Sequence, residues 1–405
     1  MAKVSAGIGA PGATAASDRG ALGVALAGLL ALAVAMGIGR FAFTPMLPMM
    51  QADAGLSLTG AGWLASANYL GYLVGALSAA RLAAAPTQLF RGGLLAVVLT
   101  TAAMAVGDSF ALWLVWRFLA GVASAWVLVA TASLALARLG AMGRPQLAGG
   151  VFAGVGIGVA VAGLVCMALA ASGVRSERAW LALAGFAAVG AALVWRALAP
   201  TPGTGAAAGG GEAGVAHGKF WHLSLAYGLF GFGYILPATF LPAQARALMP
   251  DPAVFGWVWP VFGAAASAST LLASRFAHQL GRRQLWAWAH AVMAFGVALP
   301  VVSGGLSALV LAALCVGGTF MIITMTAMQE ARAVAGAAAP RLIADMTAAF
   351  ALGQLLGPMV VSLAGALALP IEWPLSLAAL GLLFGAVLLM RRDPQPVLDK
   401  GPSIP

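Results

Sequence analysis

The chain has 405 residues, of which 62% are hydrophobic and 8% are charged, and its mean hydropathy is +0.98. Soluble domains are about 45 to 50% apolar and about 25% charged, so the composition excludes a water-soluble globular protein. The 21 Lys and Arg residues outnumber the 11 Asp and Glu residues, which indicates loops that face an anionic cytoplasmic leaflet rather than a nucleic acid partner.

Twelve apolar runs follow the first twenty residues, with lengths near the roughly 20 residues that cross a bilayer as a helix. The first run is too long for the apolar core of a cleavable signal peptide, so it is predicted to remain as a span. We therefore predict an all-α membrane protein. The spans cover residues 21–45, 60–80, 92–107, 111–137, 147–171, 179–197, 220–244, 253–274, 285–302, 306–330, 342–364 and 373–390.

The cations between these spans predict the orientation. Sixteen of the Lys and Arg residues fall on the side of the N-terminus and three fall in the opposite loops. Because Lys and Arg in short loops resist translocation, both termini are predicted to be cytoplasmic, in a multi-pass protein of a bacterial inner membrane. The predicted units are a tail at 1–20, a six-helix bundle at 21–198, a Gly- and Ala-rich linker at 199–219, a second bundle at 220–390 and a tail at 391–405.

An internal repeat relates the two bundles. A shift of 194 residues without a gap superposes identical residues at the same places in each half, which predicts two parallel halves with a substrate site between them near the midplane. The matched pairs are Gly37 and Gly231, Gly39 and Gly233, Leu47 and Leu241, Pro48 and Pro242, Gly62 and Gly256, Trp63 and Trp257, and Arg81 and Arg275.

The segments 37–48, Gly-Ile-Gly-Arg-Phe-Ala-Phe-Thr-Pro-Met-Leu-Pro, and 62–72, Gly-Trp-Leu-Ala-Ser-Ala-Asn-Tyr-Leu-Gly-Tyr, resemble the YbfB/YjiJ-like branch of the major facilitator superfamily. The resemblance extends over essentially all spans. It implies twelve helices in two pseudo-symmetric bundles, rocker-switch alternating access and transport of a small solute, often coupled to protons.

Two further motifs support this resemblance, and a third is degraded. Arg117-x-x-x-Gly121 matches the fourth span, and Gly150-x-x-x-Gly154 with Gly158 resembles the antiporter motif of the fifth. The loop motif expected after the second span has lost its Asp and Arg to Ala79 and Ala80. An echo of it, Gly281-Arg282-Arg283, follows the eighth span.

Arg40 and Arg117 are the cations predicted inside spans. An Arg at a helix centre costs about 2.5 to 3.5 kcal/mol on insertion scales, so each requires a reason to be there. No acidic residue lies inside a span of the first half. We expect one or both to bind an anionic substrate through the planar donor fork. The alternative is that each guanidinium bonds helix carbonyls and stabilises the bundle.

Other polar side chains within spans are candidates to line the same cavity. Asn68 and Tyr72 share one helix face, and so do Tyr227 and Tyr234. Interhelical hydrogen bonds or aromatic packing explain them equally well. The full set of predicted substrate-binding residues is Arg40, Arg117, Asn68, Tyr72, Tyr227, Tyr234, Gln329 and Gln354.

Glu330 and Asp345 are the carboxylates that approach the membrane interior, and a proton-coupled carrier needs such a group. Both are predicted proton-coupling candidates. Each also has an ordinary interpretation, because Glu330 is able to pair with Arg332 or a loop Arg and Asp345 lies one turn after Arg341.

The four His and two Cys residues form no pattern that predicts a metal site, a cofactor or an enzyme. The sequence therefore predicts a secondary transporter, expected as a monomer surrounded by membrane lipid. It is expected to move a small organic anion, together with protons, across the membrane. Export of a lipophilic drug is the main alternative. A transporter-like sensor without flux is a more distant one.

Overall fold

The computed structural model describes residues 11–82, 86–107, 109–198, 220–248, 257–303, 305–370 and 372–390. Within these ranges the chain is helical throughout its long elements and contains no strand, so the predicted all-α fold class is confirmed. The predicted linker 199–219 and tail 391–405, and the first ten residues, lie outside the described residues.

Span 1 consists of three consecutive helical pieces: α1 (Pro11–Leu32), a π-helical segment (Ala33–Phe41) and α2 (Phe43–Asp53). Each further span is one helix. These are α3 (Leu58–Arg81), α4 (Pro86–Ala103), α5 (Phe110–Ala141), α6 (Ala148–Ala171), α7 (Ser176–Val194), α8 (Trp221–Leu248), α9 (Val258–Leu280), α10 (Arg282–Val302), α11 (Leu306–Ala335), α12 (Ala339–Ala366) and α13 (Glu372–Met390).

Every predicted span therefore corresponds to a helical element in the same order. By length and composition alone, seven helical stretches among the described residues are able to cross a membrane. One of them, Ser307–Val361, contains two successive helices. Helices such as α3 have a lower hydropathy because they carry polar residues, including Asn68 and Tyr69. The order of the elements, rather than hydropathy alone, gives the twelve spans.

The ends of span 1 differ from the prediction of 21–45. Helix extends from Pro11 to Asp53, past two prolines that were expected to end it. Because α2 begins at Phe43, Pro45 lies in its first turn, where the missing N–H has no intrahelical acceptor to lose. Pro48 lies inside the helix at an exposed position.

The two halves meet along two helix pairs, α3 with α12 and α6 with α9. Helix α6 makes close contacts in two directions through glycine. Gly149, Gly156 and Gly163 recur every seven residues on the face toward α9, where added Cβ atoms would lie 2.4 to 2.9 Å from Ser274, Ser267 and Pro260. At this interface α6 thus contributes backbone without side chains, and it packs closely against small residues of α9.

The other face of α6 packs against span 1. A Cβ on Gly158 would lie 2.5 Å from the carbonyl oxygen of Ala33, and one on Gly154 would lie 2.0 Å from that of Leu29. Gly150, in the same helix, has its nearest neighbour at 3.9 Å. The antiporter-like glycines at 154 and 158 therefore set the distance between α6 and span 1, whereas Gly150 does not.

We expect Gly158→Ala to lower the melting temperature of the purified protein. The methyl group meets backbone that cannot move aside, and such overpacking costs about 1 to 3 kcal/mol. Gly150→Ala is the matched control and should leave the melting temperature unchanged or raise it slightly, since Ala is the better helix former. Equal melting temperatures for the two variants would contradict this packing assignment.

Candidate functional site

The π-helical segment of span 1 lies at the centre of the bundle and offers carbonyl groups to side chains. A π-helical turn displaces carbonyls from the usual α-helical pairing, and such turns occur often at functional sites. The carbonyl oxygens of Gly39, Arg40 and Phe41 all accept hydrogen bonds from side chains of other helices. These contacts fix the backbone on either side of the Arg40 side chain.

Arg117 of α5 supplies two of the three donors. Its Nη1 donates to the Gly39 carbonyl at 3.2 Å and its Nη2 to the Arg40 carbonyl at 3.1 Å. The guanidinium also lies 4.8 Å from the centre of the Phe43 ring, and the residue is 3% exposed. Both terminal nitrogens are thus held on peptide oxygens, which is the structural alternative that the sequence left open for Arg117.

The third donor crosses the interface between the halves. Trp259 Nε1, in α9, donates to the carbonyl of Phe41 at 3.3 Å. The Trp259 ring stacks on Phe262 with centroids 5.4 Å apart. The second half therefore contributes directly to holding the π-helical segment.

Arg40 projects from this segment into the interface between the halves. Its Nη2 donates to Oε1 of Gln354, in α12, and its Nε and Nη1 have no hydrogen-bond partner. The guanidinium carbon lies 3.8 Å from the centre of the Tyr72 ring and 5.6 Å from that of Tyr69. The residue is 3% exposed, so this cation is enclosed by the protein.

Arg40 and Arg117 have no carboxylate partner in the part of the chain that the structure describes. Cation–π contacts compensate each charge in part, since rings such as Tyr72 and Phe43 present their negative faces. They do not neutralise it. The site is therefore a buried region of net positive charge with unfilled donors on Arg40.

Asn68 is completely buried beside this pair. Its Nδ2 donates to the Arg117 carbonyl at 3.0 Å, which ties α3 to α5, and its Oδ1 has no partner. A Cβ on Gly121 would lie 2.1 Å from the Asn68 carbonyl, so the two helices are nearly in backbone contact there. The predicted polar face of α3 thus carries one side chain that holds helices together, Asn68, and one that contacts Arg40, Tyr72.

The second half contributes an aromatic wall. Tyr234 stacks on Phe320 with centroids 4.3 Å apart, and Tyr227 lies 5.3 Å from Phe350. Phe350 in turn contacts the Tyr72 ring at 6.5 Å. Tyr227 and Tyr234 are thus linked to the Arg40 region through phenylalanines that were not among the predicted site residues.

Gln329 and Glu330 lie elsewhere, near the arginine-rich end of α11. Gln329 is half-buried with an unpartnered Oε1, and the side-chain hydrogen bond of Arg40 goes to Gln354 instead. Glu330 accepts from Arg282 Nε at 3.2 Å and Arg283 Nε at 2.7 Å. Pairing of Glu330 with a loop Arg is thus the observed arrangement, while Arg332 donates to the Gly336 carbonyl.

Asp345 lies in the second turn of α12 and is half-buried. It shares this helix with Gln354, which accepts from Arg40 nine residues further along. At about 1.5 Å per residue, roughly 14 Å of helix axis separates the two positions. A rigid movement of α12 would therefore displace both side chains together.

Five further residues contact the site and are not among those predicted from the sequence. They are Phe41, Tyr69, Trp259, Phe320 and Phe350. Tyr69 could have been predicted from the sequence, because it lies three residues before Tyr72 and the two are therefore neighbours on the helix surface. The phenylalanines could not, since aromatic residues in an apolar span are indistinguishable from packing residues by sequence alone.

A comparison with known proteins identifies the family of this chain. A family model described as "Uncharacterised MFS-type transporter YbfB" matches residues 32–390. The chain belongs to this family of the major facilitator superfamily. It is accordingly a multi-pass membrane transporter, from a superfamily whose members are in general not enzymes.

Two solved structures of this superfamily are similar in fold. The human organic anion transporter MFSD10 (TETRAN) matches with a TM-score of 0.69 at 16% identity, over 92% of this chain and 99% of that chain. The proton:xylose symporter XylE, bound to 6-bromo-6-deoxy-D-glucose, matches with a TM-score of 0.70 at 13% identity, over 92% of this chain and 96% of that chain. No curated protein matches by sequence. The YbfB-type fold is thus shared by carriers of different solutes.

In this YbfB-family transporter we expect Arg117→Gln to lower both the melting temperature and the affinity for substrate. The change removes two charged hydrogen bonds, each worth about 1.5 to 3 kcal/mol, and leaves the carbonyls of Gly39 and Arg40 without these donors in a dry interior. Arg117→Lys should recover part of the loss. Melting curves and ligand titrations measure both effects.

Arg178→Gln provides the control, since Arg178 is exposed in the first turn of α7. It should behave as the unchanged protein. A wild-type affinity in Arg117→Gln would show that Arg117 does not position Arg40.

Proposed function

We propose that this transporter carries small organic anions and that Arg40 binds the anionic group. One observation carries the proposal: the buried Arg40 guanidinium has two unpartnered nitrogens and no counterion among the described residues. An uncompensated buried charge is strongly unfavourable, and an anionic ligand would supply both the missing acceptors and the missing charge.

The surroundings of Arg40 favour an anion that also has a flat or apolar part. The rings of Tyr72, Tyr69 and Phe41 lie within 6 Å of its guanidinium carbon. Phe350 and Phe320 extend this aromatic surface into the second half. A carboxylate on an organic scaffold would place its charge at Arg40 and its body against these rings.

Binding at Arg40 would be linked to movement of the halves. Arg40 lies in the first half and its acceptor Gln354 lies in the second, so their hydrogen bond spans the interface. An arriving anion competes with the Gln354 amide for the same guanidinium. We therefore propose rocker-switch alternating access in which the anion replaces or joins this bond.

Within the same scheme Asp345 is the proposed proton-coupling group. Glu330 is bonded to two arginines, an arrangement that suits a fixed contact between α10 and α11. Asp345, on the helix that carries Gln354, is better placed to couple protonation to the movement of α12. The excess of cations on one membrane side supports cytoplasmic termini in a bacterial inner membrane, and we propose a monomer as the transporting unit.

The aromatic cluster also favours a second candidate function, export of lipophilic compounds. Tyr234, Phe320 and Phe350 would line such a path without any charged contact. In that case the Arg40 bond to Gln354 would serve only to hold the halves together.

A ligand screen followed by Arg40 variants separates these functions. Because a ligand that binds the folded state raises the melting temperature, we expect carboxylates, rather than sugars, amines or hydrophobic cations, to stabilise the unchanged protein. Arg40→Ala should weaken binding of the best carboxylate by roughly 30-fold or more, the loss expected for one partner of a buried charge pair. Arg40→Lys should retain part of the affinity.

Uptake into proteoliposomes measures the same variants in transport, with Arg178→Gln as the control. Equal affinity and equal flux in Arg40→Lys and Arg40→Ala would contradict the anion proposal. Stabilisation by hydrophobic cations instead of carboxylates would favour the exporter. Binding without flux in proteoliposomes would favour a sensor.

Asp345→Asn tests the proton coupling. An amide cannot gain and lose a proton, so we expect the variant to lose accumulation driven by an imposed pH gradient while it still exchanges substrate across the membrane. Glu330→Gln serves as the comparison and should retain gradient-driven accumulation. Persistence of that accumulation in Asp345→Asn, or its loss in Glu330→Gln alone, would reverse the assignment.

A further inference from the structure

A groove of about 680 Å³ lies between α4 and α7, at the arginine-rich end of the first half. Its walls are apolar along most of their length, and its mouth is polar. The lining includes Leu95 and Val98 of α4, Ala188 and Ala192 of α7, and Trp195 and Arg196 directly after α7. Large apolar side chains beside it are exposed, including Leu95 and Leu193, so the groove opens toward lipid rather than toward the central site.

Three arginines surround the mouth of this groove. Arg91 Nε donates to the Trp195 carbonyl at 3.1 Å, and its guanidinium carbon lies 5.9 Å from the Trp195 ring. Arg138 Nη1 donates to the Ala197 carbonyl at 2.8 Å. Arg196 is exposed. Two guanidiniums are therefore held in place by the chain that follows α7, and the third lies beside them.

These charges are not neutralised within the described part of the protein, where none of the ion pairs involves Arg91, Arg138 or Arg196. The corresponding end of the second half differs, because Glu330 there accepts from Arg282 and Arg283. The shift of 194 residues places Leu136 opposite Glu330.

The same shift replaces two of the three arginines in the second half. Leu285 corresponds to Arg91 and Met390 corresponds to Arg196. The third arginine is retained, since Arg332 stands at the place of Arg138, and it donates to the Gly336 carbonyl. At the positions related by this shift, the set of three arginines is thus complete in the first half alone.

We propose that this groove binds an anionic phospholipid, with its phosphate at Arg91, Arg138 and Arg196 and an acyl chain along Leu95, Val98, Ala188 and Ala192. Arginines near a membrane surface attract anionic lipid headgroups. The apolar wall supports a lipid over a soluble phosphate. From Ala188 to Leu193 the groove follows α7 for about 7.5 Å, and a hydrocarbon chain would fill an apolar groove of this length.

Lipid titration of the purified full-length protein in detergent tests the proposal, with bound lipid counted by native mass spectrometry. We expect dioleoyl phosphatidylglycerol to bind at least about tenfold more tightly than dioleoyl phosphatidylcholine, which has the same chains and no net charge. The double variant Arg91→Gln/Arg196→Gln should reduce phosphatidylglycerol binding to the phosphatidylcholine level. Arg178→Gln, at the opposite end of α7, is the matched control and should bind as the unchanged protein does.

Two further measurements keep the result decisive if the double variant folds poorly. Ala192→Trp fills the groove at an exposed position and leaves every arginine in place, so it should weaken phosphatidylglycerol binding. Soluble glycerol 3-phosphate should fail to displace the lipid at equal concentration. Equal affinity for the two lipids, unchanged binding in Ala192→Trp, or displacement by glycerol 3-phosphate would each overturn the proposal.

Discussion

The arrangement of the central site depends on one constraint, which is that backbone carbonyls in the dry interior of a membrane protein need donors. The π-helical segment of span 1 exposes several of them. Arg117 supplies donors to Gly39 and Arg40, Trp259 supplies one to Phe41, and Ser124 Oγ lies 2.8 Å from the Ala35 carbonyl. Because these donors come from α5 and α9, both halves contribute to holding the segment in place. The direction in which Arg40 points follows from that packing.

The repeat explains why the site is asymmetric although the scaffold is not. The glycines that allow close helix contact recur in both halves, for example Gly39 and Gly233. The residues that build the cation site do not recur: Arg40 corresponds to Tyr234, and Arg117 corresponds to Leu311. In agreement with this, α8 runs as one helix where span 1 contains the π-helical segment. One half therefore supplies the charge and the other supplies an aromatic wall.

Sequence reasoning reached the fold because lipid exposure imposes an apolar composition on every span, and twelve such runs are visible without a structure. It did not place the end of span 1, since Pro45 reads as a terminator until the helix is seen to restart at Phe43. For the site, a charged or polar residue in a span is visible by its cost, which is why Arg40 and Gln354 were found. Their contact joins residues 314 positions apart, and nothing in either segment encodes it. The carbonyl partners of Arg117 were equally hidden, because a π-helical turn leaves no residue pattern to detect.

The identity of the residue opposite Arg40 has a physical consequence for a carrier. A carboxylate at position 354 would form a buried ion pair, and an incoming anion would then have to displace a full charge in a low-dielectric site. The Gln354 amide instead offers one neutral acceptor, and such a bond to a charged donor is worth about 1.5 to 3 kcal/mol. Such a bond contributes to the contact between the halves, yet it is small compared with the attraction between a buried guanidinium and an anion. Under the proposed anion transport, an amide in this place would allow the same cation to serve first as a contact between the halves and then as a binding group.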